Sequence, residues 1–177
     1  GNYIGTDALG VAALGNGDNG VEIQNTSNSI LDNTISGNSR NGILLSSSTA
    51  TNNIVQGNYI GTNASGISAL GNIGFGIHIN TASNNIVGGT SATARNIISG
   101  NGNDGINISG VSTNNTVRGN YIGITVVGDE ALGNDGEGIE DQSGYTIIQD
   151  NVVGGNSTDG IMITGNATNS SIQGNLI

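Results

Sequence analysis

The chain has 177 residues, a length typical of one domain, but only 34% of them are hydrophobic, whereas an ordinary soluble domain has roughly 45–50%. A net charge of −10, with only three cationic side chains, argues against a nucleic-acid partner and against an anionic membrane surface. No segment reaches the roughly 20 consecutive apolar residues of a membrane-spanning helix, so we expect no membrane insertion.

Turn-forming residues dominate the composition, with 32 Gly and 29 Asn but no Pro and no Cys. The apolar residues are mostly Ile, Val, Leu and Ala, and they recur at regular positions. We therefore expect a thin core of small aliphatic side chains rather than a low-complexity chain without a core.

A six-residue phrase divides the chain into repeats. "GNYIGT" stands at residues 1–6 and 57–62, and "GNYIGI" follows at 119–124. Each copy continues into an insertion that ends in Ala-Leu-Gly-Asn. Self-similarity of this kind is the signature of a repeat architecture. We therefore treat residues 1–177 as a single segment with long repeats at 1–56, 57–118 and 119–173 and a partial copy at 174–177.

A shorter unit lies inside the long repeats. It begins with Gly-(Val/Ile)-x-(Ile/Leu) at Gly20 and again 22 residues later at Gly42, and it recurs with insertions at Gly76, Gly105, Gly138 and Gly160. In the first unit, alternating runs at 21–23, 29–31 and 34–36 indicate three short strands. Strands this short are not stable alone, so we expect them to stack, coil on coil, around a shared interior.

Aligning the units assigns inward and corner columns of residues. Two inward columns are Val21, Ile43, Ile77, Ile106, Ile139 and Ile161, and Ile23, Leu45, Ile79, Ile108, Asp141 and Ile163. A third is Ile4, Ile35, Ile60, Ile98, Ile122, Val153 and Ile177. One corner carries Asn2, Asn33, Asn58, Asn96, Asn120, Asn151 and Asn175. Asparagine tolerates the left-handed backbone of a tight corner, and its amide can bond to the copies above and below, which predicts an asparagine ladder.

The phrases "GNYIGT…ALGN" and "NNIVGGT…ARNIISGN" (residues 84–101) resemble the tandem repeats of large secreted bacterial surface or adhesin-type proteins, among the right-handed parallel β-helix proteins of the pectin-lyase-like superfamily. The resemblance covers essentially the whole chain. It implies an all-β fold, a right-handed parallel β-helix (solenoid) of about six to seven coils of three short strands. We expect this segment to be uncapped at both ends and to be part of a longer solenoid.

The resemblance leaves two kinds of function open, because this fold supports both enzymes and structural shafts. We expect a structural segment of a secreted surface or filament-forming protein, extracellular or at the cell surface. Its partners would be adjacent coils of the same or a neighbouring chain. The alternative is a carbohydrate-binding or carbohydrate-active β-helix, lyase-like or hydrolase-like, with a polysaccharide as its partner. We predict no catalytic residue and no cofactor other than calcium.

The enzymatic alternative depends on one outward column, which contains Glu22, Leu44, His78, Asn107, Glu140 and Met162. Neighbouring coils lie ~4.8 Å apart, so each of Glu22, His78 and Glu140 would be separated from the next by about 10 Å. That exceeds the roughly 6.5–9.5 Å between the two carboxyl groups of an inverting glycosidase. We interpret the three side chains as a solvated face, with ligand contact as their alternative role.

Acidic residues concentrate between positions 129 and 141. Asp129, Asp135, Glu137 and Asp141 are candidate calcium ligands, because Ca²⁺ takes carboxylate oxygens. The alternative is an acidic loop without an ion. Asp141 stands in an inward column, where an unpartnered carboxylate is costly. We therefore expect a turn, a bulge or an ion to hold it.

Three tyrosines, Tyr3, Tyr59 and Tyr121, follow the opening Gly-Asn of each long repeat and fall on alternate coils of one outward column. An outward apolar stripe needs cover. We expect the insertions at 5–18, 61–74 and 123–136 to fold back over the rings through their Ala-Leu pairs. The alternative is a lateral interface or a ridge on which sugars stack.

Overall fold

The computed structural model describes residues 1–177 as eighteen short strands and one 3₁₀ turn at Ala92–Ala94. In chain order the strands are β1 (Tyr3–Ile4), β2 (Val21–Ile23), β3 (Ser29–Leu31), β4 (Thr34–Ile35), β5 (Ile43–Ser46), β6 (Ile54–Gln56), β7 (Tyr59–Ile60), β8 (Ile77–Asn80), β9 (Ile86–Gly88), β10 (Ile97–Ile98), β11 (Ile106–Ser109), β12 (Thr116–Arg118), β13 (Tyr121–Ile122), β14 (Ile139–Asp141), β15 (Ile147–Gln149), β16 (Val152–Val153), β17 (Ile161–Ile163) and β18 (Ser171–Gln173). The structure contains no helix with the length and apolarity needed to cross a bilayer.

The strands form three six-stranded sheets. Sheet 1 has the order β1-β4-β7-β10-β13-β16, sheet 2 the order β2-β5-β8-β11-β14-β17 and sheet 3 the order β3-β6-β9-β12-β15-β18. Every pair of neighbours is parallel, and each coil of the chain gives one strand to each sheet. The predicted parallel β-helix is confirmed, with about six coils.

The core is a column of aliphatic side chains enclosed by the three sheets. Ile106 pairs with Ile77 on one side and Ile139 on the other, as the alignment of the repeats predicts, and all three are fully buried. Sheet 3 adds an inward column that the alignment did not assign, formed by Ile30, Val55, Val87, Val117 and Ile148. Side chains one coil apart therefore stack on copies of similar size, which fills a narrow interior without large residues.

Asparagine ladders line the corners. At the corner before sheet 1, the backbone N–H and the Nδ2 of Asn58 both donate to Oδ1 of Asn96, at 2.9 Å and 3.0 Å. The Nδ2 of Asn96 also donates to the carbonyl of Val55 at 2.9 Å. The same donation to the next coil joins Asn2, Asn33, Asn58, Asn96, Asn120, Asn151 and Asn175. The predicted ladder is confirmed.

Two further ladders were not predicted from the sequence. One joins Asn16, Asn38, Asn72, Asn101, Asn134 and Asn156, and the other joins Asn28, Asn53, Asn85 and Asn115. The first includes the asparagine of every Ala-Leu-Gly-Asn, and that repetition was the signal in the sequence. Because each ladder satisfies buried backbone groups at a corner, the irregular turns can be buried without losing hydrogen bonds.

The insertions after β1, β7 and β13, here called excursions (residues 5–18, 61–74 and 123–136), leave the coil on one side of the solenoid. Each excursion is closed by an antiparallel bridge, such as that between Thr62 and Ala69. The excursions also bond to one another: Ala64 N–H donates to the carbonyl of Gly10 at 2.9 Å, and Val126 N–H donates to that of Gly66 at 3.0 Å. The three excursions therefore form one continuous ridge rather than three independent loops.

The excursions fold back over the tyrosine rings through a turn glycine. Gly66 has a φ of +70°, and its backbone lies so close to the ring of Tyr59 that a side chain there would collide with it. Gly10 and Gly128 lie in the same way against Tyr3 and Tyr121. The Ala-Leu pairs were predicted to cover the rings, but Leu14, in the first of these pairs, is 69% exposed. A glycine makes the contact because it combines a left-handed backbone with a close approach.

We predict that Asn96→Ala lowers the free energy of unfolding by about 3 kcal/mol or more, because it removes the acceptor of Asn58 and the donor to Val55 in a buried corner. Urea unfolding followed by circular dichroism measures the change. Asn103→Ala is the matched control, since Asn103 is exposed and lies outside the ladders. Equal unfolding free energies for the two variants would contradict the structural role of the ladder.

Candidate functional site

Three carboxyl groups meet on the outer surface where the chain enters sheet 2. One oxygen of each of Asp104, Glu137 and Glu140 lies within 4.8 Å of the others. Asp104 and Glu137 occupy equivalent positions, each directly before the glycine that opens its coil, and Glu140 lies on β14. Parallel stacking of β11 on β14 brings these residues together although 33 positions (137 − 104) separate the first two.

The amide of Asn107 joins the group. Asn107 lies on β11 directly opposite Glu140, and its Nδ2 donates to Oδ2 of Asp104 at 2.9 Å and to Oε2 of Glu140 at 2.7 Å. The backbone N–H of Glu137 donates to Oδ1 of Asp104 at 3.2 Å. Gly136 leaves the space that Asp104 occupies, since a side chain at 136 would collide with its carboxylate. The geometry is therefore fixed by backbone register as well as by side chains.

Burial shifts the pKa of one carboxyl group in this cluster. Asp104 is only 2% exposed, and burial raises the pKa of its carboxyl group from 3.8 to about 7, against the opposing hydrogen bond from Asn107. A hydrogen bond from Asp104 lowers the pKa of Glu137. At neutral pH, Asp104 is thus a partly protonated acid beside an ionised Glu137. Pairs whose environments drive their pKa values apart are suited to proton transfer.

Of the four predicted calcium ligands, the structure places only Glu137 in this group. Asp129 and Asp135 are exposed in the third excursion. Asp104 was missed because it lies outside the acidic stretch. The signal that could have found it is its position before Gly105, which matches that of Glu137 before Gly138. Carboxylate oxygens fit calcium chemically, and the Nδ2 group of Asn107 already donates to two of the three carboxylates.

Asp141 points inward and is fully buried. Of the turn, bulge or ion expected at this position, a turn holds the carboxylate. Its Oδ1 accepts hydrogen bonds from the N–H groups of Ser143 and Gly144 at 3.0 Å and 3.1 Å. Its Oδ2 accepts one from the hydroxyl of Ser170 at 2.6 Å. These donors replace the solvation of the carboxylate, so the residue serves as a local brace between coils.

Glu22, His78 and Glu140 occupy one outward column, with the register expected from the repeats. The structure does not join them. Glu22 accepts hydrogen bonds from Gln24 and Ser46 at 2.6 Å and 3.0 Å. His78 bonds to Ser109 at 2.8 Å, and burial, with a smaller effect of Arg40, lowers its pKa. Of these three residues, only Glu140 belongs to the cluster of carboxyl groups that it forms with Asp104 and Glu137.

The tyrosine face carries a groove beside the ridge. A cavity of about 370 Å³ is lined by Tyr59, Ile97, Arg95, Asp32 and Val126, among others. The guanidinium of Arg95 lies 3.9 Å from the centre of the Tyr121 ring, so Arg95 is held against the next tyrosine along the column. Tyr3 is 51% exposed, whereas Tyr59 and Tyr121 are partly covered.

Comparison with known proteins gives one result. The family model described as "Right handed beta helix region" matches residues 10–177. No curated protein and no solved structure matches the chain.

We predict a pH dependence of stability that comes from Asp104. Its carboxyl group has a pKa of 3.8 unfolded and about 7 folded, so its contribution to stability is complete below pH 3.8 and is lost as the pH rises to about 7. The difference in unfolding free energy between wild type and Asp104→Asn, measured in urea, should therefore decline across this range.

Asp129→Asn is the control for this measurement, since Asp129 is an exposed acid in the third excursion and lies outside the carboxyl cluster. Its stability should follow the wild-type curve at every pH. Parallel curves for wild type and Asp104→Asn between pH 4 and 7 would show that Asp104 is not a buried proton site.

Proposed function

Since the chain belongs to the right-handed β-helix family, we propose that it is a structural segment of a secreted surface or filament-forming protein, a rod that displays loops outside the cell. The observation that carries the proposal is the continuity of the sheets. Three parallel sheets and an asparagine ladder pass through every coil, so the coils form one stiff unit. Repeat stacks of this kind gain length without a new core.

The ridge of excursions supports the display role. Its outer side carries large apolar residues in each excursion, among them Leu9 (73% exposed), Ile67 (53%) and Val127 (68%). Exposed apolar residues set along a rigid element are suited to contact with another macromolecule. We propose that this surface contacts the coils of a neighbouring chain.

The chain's lack of cysteine allows a direct test of location. Ile67→Cys, in a cell that makes the protein, should react with a maleimide reagent that does not cross membranes, because Ile67 lies at the exposed ridge. Ile98→Cys is the matched control, since Ile98 is fully buried and should react only after unfolding. Reaction of Ile67→Cys only after cell lysis would contradict the extracellular role.

A second candidate, cleavage of an acidic polysaccharide, is favoured by one observation. Asp104 is a partly protonated acid 4.8 Å or less from two further carboxyl groups at a sheet surface. Acid catalysis of glycoside cleavage uses a carboxyl group of raised pKa beside an ionised one. Glu137 and Glu140 are partly exposed and would face the substrate, with the buried Asp104 behind them as their source of a proton.

Incubation with acidic polysaccharides tests this candidate by the appearance of new reducing ends or unsaturated products. Glu140→Gln should abolish turnover, and Glu22→Gln should leave it unchanged because Glu22 lies in the same column far from the group. Turnover that both variants retain would exclude the site, and absence of turnover in the wild type would exclude the activity on the polysaccharides assayed.

A further inference from the structure

The chain has three arginines, and two of them lie at one place without an acidic partner. Arg40 forms the only salt bridge of the structure, at 3.2 Å from Asp18 on the exposed surface. Arg95 and Arg118 instead line one cavity of about 250 Å³ at the exit from sheet 3. In a chain with a net charge of −10, two unpaired cations in one cavity form a local positive site.

The cavity is lined by polar residues and glycines alone. Its lining contains Gly89, Thr90, Ser91, Arg95, Arg118, Gly119 and Asp150, and no hydrophobic residue. Arg118 points outward from β12, and its neighbour on the adjacent strand is Gly88, which has no side chain. Thr90 and Ser91 are exposed. The hydroxyl of Ser91 accepts the N–H of Ala94 at 3.3 Å and lies 3.0 Å from that of Thr93, and it can donate to a ligand when Thr93 is the donor of that bond.

Arg95 is positioned in advance of any ligand. Its Nε donates to the carbonyl of Gly119 at 3.3 Å, and its guanidinium lies 3.9 Å from the centre of the Tyr121 ring. These two contacts occupy one N–H group and one face of the guanidinium. The remaining N–H groups are available to an acceptor, and a side chain already held in place loses little rotational freedom when it binds.

Arg118 shows the need for a partner most clearly. Its Nε atom is buried and has no hydrogen-bond acceptor in the structure. A buried donor without an acceptor is unfavourable, and a charged donor more so. Asp150, the one acid in the lining, is exposed and lies outside salt-bridge distance of both arginines. The terminal N–H groups of Arg118 are not buried in this way and form no hydrogen bond within the chain, so an acceptor brought by a ligand would bind the same guanidinium through them.

We propose that Arg95 and Arg118, with the hydroxyls of Thr90 and Ser91, form an oxyanion-binding site. Guanidinium groups bind carboxylate, sulfate and phosphate oxygens through paired N–H donors. The oxyanion is either a free inorganic ion or the carboxylate of an acidic saccharide. The saccharide has additional support, since Arg95 also lines the neighbouring cavity that contains the ring of Tyr59. This site is independent of the role as a rod.

Nuclear magnetic resonance of the arginine Nε–H groups tests the proposal in the intact chain, because three arginines give three such signals. The probes are sodium sulfate, sodium phosphate and a uronic acid disaccharide, each added at constant ionic strength. The signals of Arg95 and Arg118 should shift in a saturable way, and that of Arg40 should not. Absence of a saturable shift with all three probes would overturn the proposal.

Three variants separate a built site from general charge attraction. Arg118→Gln should weaken binding about tenfold or more, because it removes a charged donor pair. Arg40→Gln removes the same charge at a distant, exposed position and should leave the affinity unchanged. Arg118→Lys keeps the charge but loses the paired donors, so it too should weaken binding. Equal loss in Arg118→Gln and Arg40→Gln would overturn the proposal.

The relative affinities identify the source of the oxyanion. Tighter binding of the disaccharide than of sulfate and phosphate, lost again in Tyr59→Ala, would assign the site to acidic saccharides. Equal or weaker binding of the disaccharide would assign it to a free inorganic ion. The backbone spectrum of each variant shows whether it is folded, and the wild-type titration stands without any substitution.

Discussion

The hydrogen bond from one asparagine to the next coil is the interaction on which the rest of the structure depends. With only 34% hydrophobic residues, the core is a narrow column of aliphatic side chains and cannot by itself hold the corners of each coil. The asparagine amide spans the distance between coils and accepts the backbone N–H of its neighbour, as between Asn58 and Asn96. All three ladders are bonded in the same direction along the solenoid, and the coils keep a single register.

This register determines where chemistry can occur. Residues far apart in the chain become neighbours when they occupy the same place in adjacent coils, as Asp104 and Glu137 do before sheet 2. The two unpaired arginines meet at another place, where Arg118 leaves sheet 3 and Arg95 precedes sheet 1. The two groups of opposite charge thus occupy different places on the coil. Each can bind or exchange protons without being neutralised by the other.

The excursions show how a repeat protein gains a second layer from short loops. They arise on alternate coils, yet they contact one another because the coil between carries no excursion and leaves room for a bond such as that of Ala64 to Gly10. The glycine turn lies against a tyrosine ring at each excursion. Tyrosine therefore appears wherever an excursion begins, since the ring is the surface on which the turn rests.

The sequence by itself determined the strands, the stacking of the coils, three inward columns and one asparagine ladder, because each follows from a pattern that repeats at equivalent positions. Only the tertiary structure decided which unlike residues meet. The sequence placed a possible calcium site in the acidic stretch. The cluster of three carboxyl groups in the structure instead includes Asp104 from an earlier coil, and Asp129 is exposed outside it. It gave no sign of the cavity shared by Arg95 and Arg118. The physical reason is that a repeat fixes the column of each residue, whereas a site also depends on side-chain direction, burial and hydrogen bonds across coils.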